Sequence, residues 1–200
     1  MIGSHIWNMN TSQSDEDYFE IYMESTEDIF RGTAEYKSKF IQENGVDTHQ
    51  HELGHVVNQL LKGNINFIIG ITSPIIIKTN EHFEELRNLT FRNLSKNVYH
   101  SIRGMSEGNY KKYILEGKDD STRKCNQILR TLEFGINILK YRQIEYLPYR
   151  RGTPKKIEVK IKKLEEVYEN STIPEKPNED EFRDFLSKMR KWNWWDNLKV

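Results

Sequence analysis

From Asp17 to Met23 the chain reads DYFEIYM, with Phe19, Ile21 and Met23 on one side and Tyr18, Glu20 and Tyr22 on the other. That alternation has the two-residue period of a β-strand. A strand cannot stand alone, because its backbone amides need partners, so this short run commits the N-terminal part of the chain to a sheet. Asp15 and Asp17 lie two apart at its start. Where the extended conformation already holds at Asp15, both carboxylates project from one face and can share a cation.

The rest of the first half is consistent with a small mixed layer. The charged stretch 26–44 accommodates a short helix and ends at the turn signal Asn44-Gly45. Val46 to about His51 reads as a second strand. Leu53, Val56, Val57, Leu60 and Leu61 then form a helix stripe closed by Gly63 and Asn64. The isoleucine-rich run Ile65 to Ile77 contains Gly70 and Pro74, which predicts two short buried pieces joined by a turn. A helical pattern resumes near Glu81.

After Leu94 the pattern is helical: roughly 95–116, 121–141 and 155–169, the second carrying Ile128, Leu129, Leu132, Ile136 and Leu139 at helical spacing. A linker with Pro174 and Pro177 leads to a last amphipathic helix built on Phe182, Phe185, Leu186 and Met189. The expectation is an α+β protein, mixed over residues 1–94 and helical over residues 95–200.

Lys and Arg balance Asp and Glu at 30 each, so a nucleic-acid partner would have to be held by a local patch and not by an overall positive field. No apolar run approaches the roughly 20 residues of a membrane helix, and no basic-then-apolar leader opens the chain. The single cysteine, Cys125, reads as a half-buried helix residue. A cytoplasmic protein is expected.

The chemistry concentrates at the N-terminus, where Gly3-Ser4 precedes Ser14-Asp15-Glu16-Asp17 by ten residues. Phosphoryl transfer needs divalent cations to bridge phosphates and backbone N–H groups brought close to them. Two carboxylates on one strand face can hold the cation. Glycine lets the backbone approach a phosphate, and the Ser4 hydroxyl adds a donor.

The run GSHIWNMNTSQSDEDYFEIYM resembles the Gly-Ser, aromatic-Gly, Ser-Asp-x-Asp segment of nucleotidyltransferases of the DNA polymerase beta superfamily, most of all a predicted branch linked to RNA repair. DTHQHELGHVVNQLLKGN is similar to that branch's strand and helix ending in Gly-Asn. FRNLSKNVYHSIRGMSEGNYKKY and RKCNQILRTLEFGINILKYRQIEYLP are similar to its two following helices, so the resemblance runs from Gly3 to about Pro148.

The resemblance implies a small mixed sheet holding the carboxylates and a helical region closing over a nucleoside triphosphate. Asp15 and Asp17 would bind Mg2+ or Mn2+ and serve catalysis, while Gly3 and Ser4 would hold the outer phosphates. A third carboxylate would activate the acceptor hydroxyl; Glu52, at the junction of strand and helix, is the first choice and Asp47 the reserve. His100, Arg103 and Arg130 become candidates for contacts to phosphate or acceptor, and an RNA end is the acceptor implied.

Four departures stand out. The helix and strand that usually precede the Gly-Ser turn are not found ahead of it, which would leave a sheet edge for the C-terminal helix, a second copy or a partner chain to cover. Asn8 stands where glycine usually follows the aromatic residue, Asn126 replaces a histidine, and Gly70 replaces an acidic residue.

Two other readings compete. A degenerate relative would bind nucleotide, RNA or protein without turnover. His51-Glu52-Leu53-Gly54-His55 also has the H-E-x-x-H spacing of zinc peptidases, with His82, Glu84 or Glu85 as a third ligand. Trp192, Trp194 and Trp195 read as core caps, a partner surface or a base-stacking platform, and Arg150, Arg151, Lys155 and Lys156 form the best local basic patch.

Overall fold

The computed structural model describes residues 1–34, 38–43, 45–119 and 121–197, with side chains described to residue 191. A short 3-10 turn at His5–Trp7 leads to β1 (Glu16–Tyr22), α1 (Thr26–Arg31), β2 (Lys39–Glu43) and β3 (Val46–Glu52). The three strands form one sheet in the order β1-β3-β2, with β1 parallel and β2 antiparallel to β3. The strand β2 lies in a stretch whose charge concealed it: all five residues are exposed, and what holds it is the ladder to β3. Asn44 of the expected turn falls outside the described residues, while Gly45 is left-handed (φ 79°).

Helices follow without interruption by strands: α2 (Leu53–Leu61), α3 (Ile65–Thr72), α4 (Glu81–Arg92), α5 (Val98–Asn109), a π-helical continuation at Tyr110–Leu115, α6 (Thr122–Tyr141), α7 (Pro154–Glu169) and α8 (Glu179–Asn197). Side chains cap many of their first turns: Asn64 for α3, Asn80 for α4, Ser121 for α6 and Thr153 before Pro154 for α7.

The stretch Ile65–Thr72 is one helix, not two pieces. Pro74 falls just past its end, and Gly70 sits inside it because a Cβ there would lie 2.5 Å from the Phe19 ring of β1. Helix α3 thus lies directly on the sheet face of Phe19, with Phe67 reaching the same ring (5.6 Å between centroids).

Buried side chains from both halves form one cluster, including Val56 and Ile71 from the first and Ile102, Leu129, Leu132 and Phe182 from the second. Cys125 is fully buried in it. Helix α8 returns from the C-terminal end to pack on α1, α2 and α4. At the edge of the sheet the Ile2 N–H donates to the Asp17 carbonyl (2.7 Å), and the Met1 ammonium donates to the Ile75 carbonyl (2.9 Å). No helix among the described residues is long and apolar enough to cross a membrane.

Candidate active site

The first nine residues form a turn laid against β1. The Ser4 carbonyl accepts from the N–H groups of Trp7 (3.3 Å) and Met9 (3.1 Å). Trp7 is buried, edge-on to Phe134 of α6 (5.5 Å) and tilted against Tyr146 (4.9 Å), with the Arg130 guanidinium 5.0 Å from its ring. These contacts pin the turn to α6.

Gly3 is left-handed (φ 71°), and a Cβ there would lie 1.8 Å from Asp17 Oδ2. Only glycine lets backbone sit against that carboxylate. Asn8 is left-handed too (φ 51°). Asparagine enters that region more readily than most residues with a side chain, so the replacement of the expected glycine preserves the backbone path.

Asp17 stands directly opposite Asp47 in the β1–β3 register, and the two side chains share a face. Burial raises the Asp17 pKa, as do the charges of Asp47 and Asp15, against the opposing pull of His49 and His5. No hydrogen bond enters that balance. Asp47 Oδ1 accepts from Gln42 Nε2 on β2 (2.8 Å).

Among the described residues no three His, Cys, Asp or Glu side chains are gathered tightly enough to hold an ion alone. A protein-only cage is not what Mg2+ requires, since it keeps waters and takes one or two carboxylates plus substrate phosphates. Hard oxygen donors that repel one another, as Asp17 and Asp47 do, suit such a cation.

Glu52 is not part of this group. One step in register past His51, it points to the opposite face. Its side chain is fully buried, accepts from the N–H groups of Gly54 (2.6 Å) and His55 (3.3 Å), and pairs with Arg190 of α8. It is the N-cap of α2 and the anchor of α8.

That geometry also corrects the zinc reading. His51 and Glu52 belong to β3 and only His55 to a helix, so the helical spacing the motif presumes is absent. The rings of His51 and His55 lie 6.3 Å apart, and the glutamate is occupied. Burial, with His55 and His49 adding to it, lowers the His51 pKa to about 4, and its Nδ1 shares a hydrogen bond with Ser38 (2.6 Å).

Beside Gly3 opens a cleft of about 510 Å³ between the two halves of the chain. Gly3, Trp7, Phe19, His49 and His51 form one wall, α3 contributes Asn66, Phe67 and Ile69, and α5 contributes Met105 and Asn109. The far wall is α6, through Lys124, Gln127, Ile128, Arg130 and Thr131. The volume suits a small-molecule ligand.

Arg130 therefore reaches the cleft. Its Nε is buried without a partner, as is His5 Nε2, and burial brings its pKa down to about 10, with Arg123 adding to the drop and Asp17 opposing it. His100 and Arg103 do not reach it. They leave α5 on the side facing α7, where Arg103 bonds Glu107 (2.9 Å), Tyr99 (2.6 Å) and Glu165 (3.2 Å), and the His100 ring stands near Tyr168 (5.8 Å). The cleft side of α5 belongs instead to Met105 and Asn109.

Lys124, Gln127 and Thr131 escaped the sequence reading. The three- and four-residue steps from Lys124 to Gln127 to Thr131, with Arg130 three after Gln127, were the available signal. Asn126, where histidine was expected, accepts from the Gly152 N–H (2.7 Å) and ties the loop before α7 to α6. Trp192, Trp194 and Trp195 lie outside the residues with described side chains.

A comparison with family models matches residues 1–186 to the RNA repair pathway DNA polymerase beta family. Searches of curated proteins and of solved structures find no match.

Proposed function

The chain belongs to the RNA repair pathway DNA polymerase beta family, and from that premise we propose that it transfers a nucleoside monophosphate from a nucleoside triphosphate to the hydroxyl of an RNA end, releasing pyrophosphate. The family supports a nucleotidyltransferase-type function in RNA repair. The observation that carries the finer reading is the juxtaposition of Gly3 with Asp17, opposite Asp47, at the side of a nucleotide-sized cleft.

In this reading Asp15 and Asp17 hold Mg2+ or Mn2+, and Asp47 replaces Glu52 as the third carboxylate. The bound cation supplies charge neutralisation on the phosphates and lowers the pKa of the attacking hydroxyl. The Gly3-Ser4 backbone donates to the outer phosphates, with Lys124 and Arg130 offsetting their charge from α6. The acceptor oxygen attacks the α-phosphorus as the α–β bridging bond breaks. Its proton passes to Asp47, whose Oδ1 already accepts from Gln42, leaving Oδ2 to receive it. Residues 1–94 then carry the chemistry, and residues 95–200 form the opposing wall that holds the nucleotide.

The test is incubation with each labelled triphosphate, Mg2+ or Mn2+ and a pool of single-stranded RNA. Label should pass to RNA in wild type and fail to do so in Asp17→Asn. Folded wild-type protein that binds triphosphate yet transfers nothing would refute the reading.

A further inference from the structure

Net neutrality conceals a segregation of charge. Residues 111–163 contain 15 Lys and Arg against six Asp and Glu, whereas the remainder contains 15 against 24. In that remainder basic side chains are mostly engaged: Arg31, Arg92, Lys96, Arg103, Arg183 and Lys188 all pair with carboxylates. Lys112, Arg123, Arg150, Arg151 and Lys155 are exposed, and among the described residues none of them forms an ion pair. Asp119, before α6, has its carboxyl held low mainly by its bond to Ser121, with Lys124 and Arg123 adding to that.

These cations are gathered by the fold. Lys124 lies 4.2 Å from the centroid of the Tyr113 ring and Lys112 lies 5.1 Å from it, which joins the π-helical turn to the start of α6. On the other flank the Asn126–Gly152 bond docks the Arg150-Arg151 loop on the same end of α6, and Lys156 Nζ steadies it by donating to the Arg151 carbonyl (2.9 Å). Arg151 is left-handed at φ 60°. Arg123, Gln127 and Arg130 follow one another along α6 at one-turn spacing, so the cationic surface runs into the cleft wall.

We propose that this surface, from the Arg150-Arg151 loop across the N-terminal end of α6 to Lys112 and Tyr113, is the track along which the backbone of the single-stranded RNA acceptor enters the cleft. Unpaired cations neutralise phosphates and release counterions, and half-buried Tyr113 adds an aromatic ring beside two lysines. The inference rests on the transfer reading above for the identity of the acceptor, but its test is separate.

Binding of a labelled 12-nucleotide single-stranded RNA is measured by anisotropy across salt concentrations for the full chain and for Arg150→Gln/Arg151→Asn and Lys112→Gln. Asparagine keeps the left-handed position accessible, and circular dichroism checks folding. The double variant should weaken RNA binding about tenfold and make the salt slope shallower by about 1.4, the value for two phosphates lost on a single strand. Lys112→Gln should act in the same direction, and affinity for a fluorescent triphosphate should not change in either.

Unchanged RNA affinity in the folded double variant would overturn the track. So would displacement of RNA by polyglutamate of equal charge at equal concentration, which would point to an acidic protein instead. If RNA binding follows the track but no label is transferred, the transfer reading fails and the track stands. If transfer proceeds and the double variant binds RNA normally, the track fails alone.

Discussion

Asp47 and Glu52 sit five residues apart on one strand and do unrelated work. Asp47 faces Asp17, whereas Glu52 faces Arg190 with no exposed surface. Asp47→Asn should lower transfer by about 100-fold or more, in the range for losing a general base, with little change in Tm. Glu52→Gln should lower Tm yet leave kcat per folded molecule near wild type. Loss of kcat in Glu52→Gln at full folding would restore it to the chemistry. The Asp17 carboxyl, raised above its ordinary value by burial and by Asp47, holds its proton to higher pH in the folded protein than in the unfolded chain. Its ionisation therefore subtracts from stability as pH rises from the unfolded pKa through the folded one. At neutral pH Asp17→Asn should raise Tm while abolishing transfer, and Mg2+ should raise the Tm of wild type more than that of the variant. Thermal melts from pH 4 to 8 with and without Mg2+ check both signs. The strand position of Asp17 and the place of Gly3 against it were legible in the sequence because each expresses a local rule, two-residue alternation for one and backbone access for the other, whereas Asp15 falls one residue ahead of β1. That Asp47 and not Glu52 faces Asp17 was not legible, because facing direction reverses with every residue and the exact end of a strand cannot be read from composition.

At the scale of elements, α8 is held by a buried contact between residues 138 positions apart. Arg190 pairs with Glu52, donates to the Glu24 carbonyl (3.0 Å), and its own carbonyl accepts from Thr26 Oγ1 (3.0 Å). Arg190→Met would leave a buried carboxylate without its countercharge, and removing one partner of such a pair costs about 3–5 kcal/mol. Chemical denaturation should show that loss, and Glu52→Gln/Arg190→Met should recover part of it. If the single variant is as stable as wild type, the pair is not the anchor of α8. Helices α2, α6 and α8 were visible as apolar stripes. Helix α3 and strand β2 were not, since both depend on what lies beside them: Gly70 is tolerated in α3 because Phe19 fills its space, and exposed β2 is held by pairing with β3.

For the whole molecule, the cleft joins segments that are distant in the chain: the first turn, the sheet face, α3, α5 and α6. A ligand there should tie the halves together. With Mg2+ and a non-hydrolysable triphosphate, amide exchange should slow in concert at residues 2–5, 65–69 and 124–131, and stay unchanged in α7. Protection confined to one half would exclude a nucleotide bridging the cleft.

The sequence by itself determined that a short sheet precedes a set of helices, that Asp17 lies at the start of a strand with Asp15 just ahead of it, and that a Gly-Ser turn precedes both. Those features rest on periodicity and on the conformational range of single residues, which neighbours in the chain suffice to specify. Only the tertiary structure decided which carboxylate faces Asp17, that Arg130 turns into the cleft while His100 and Arg103 turn away, and that His51 and His55 do not form a helical motif. Each of those outcomes depends on facing direction and on burial against segments far along the chain, which packing alone supplies.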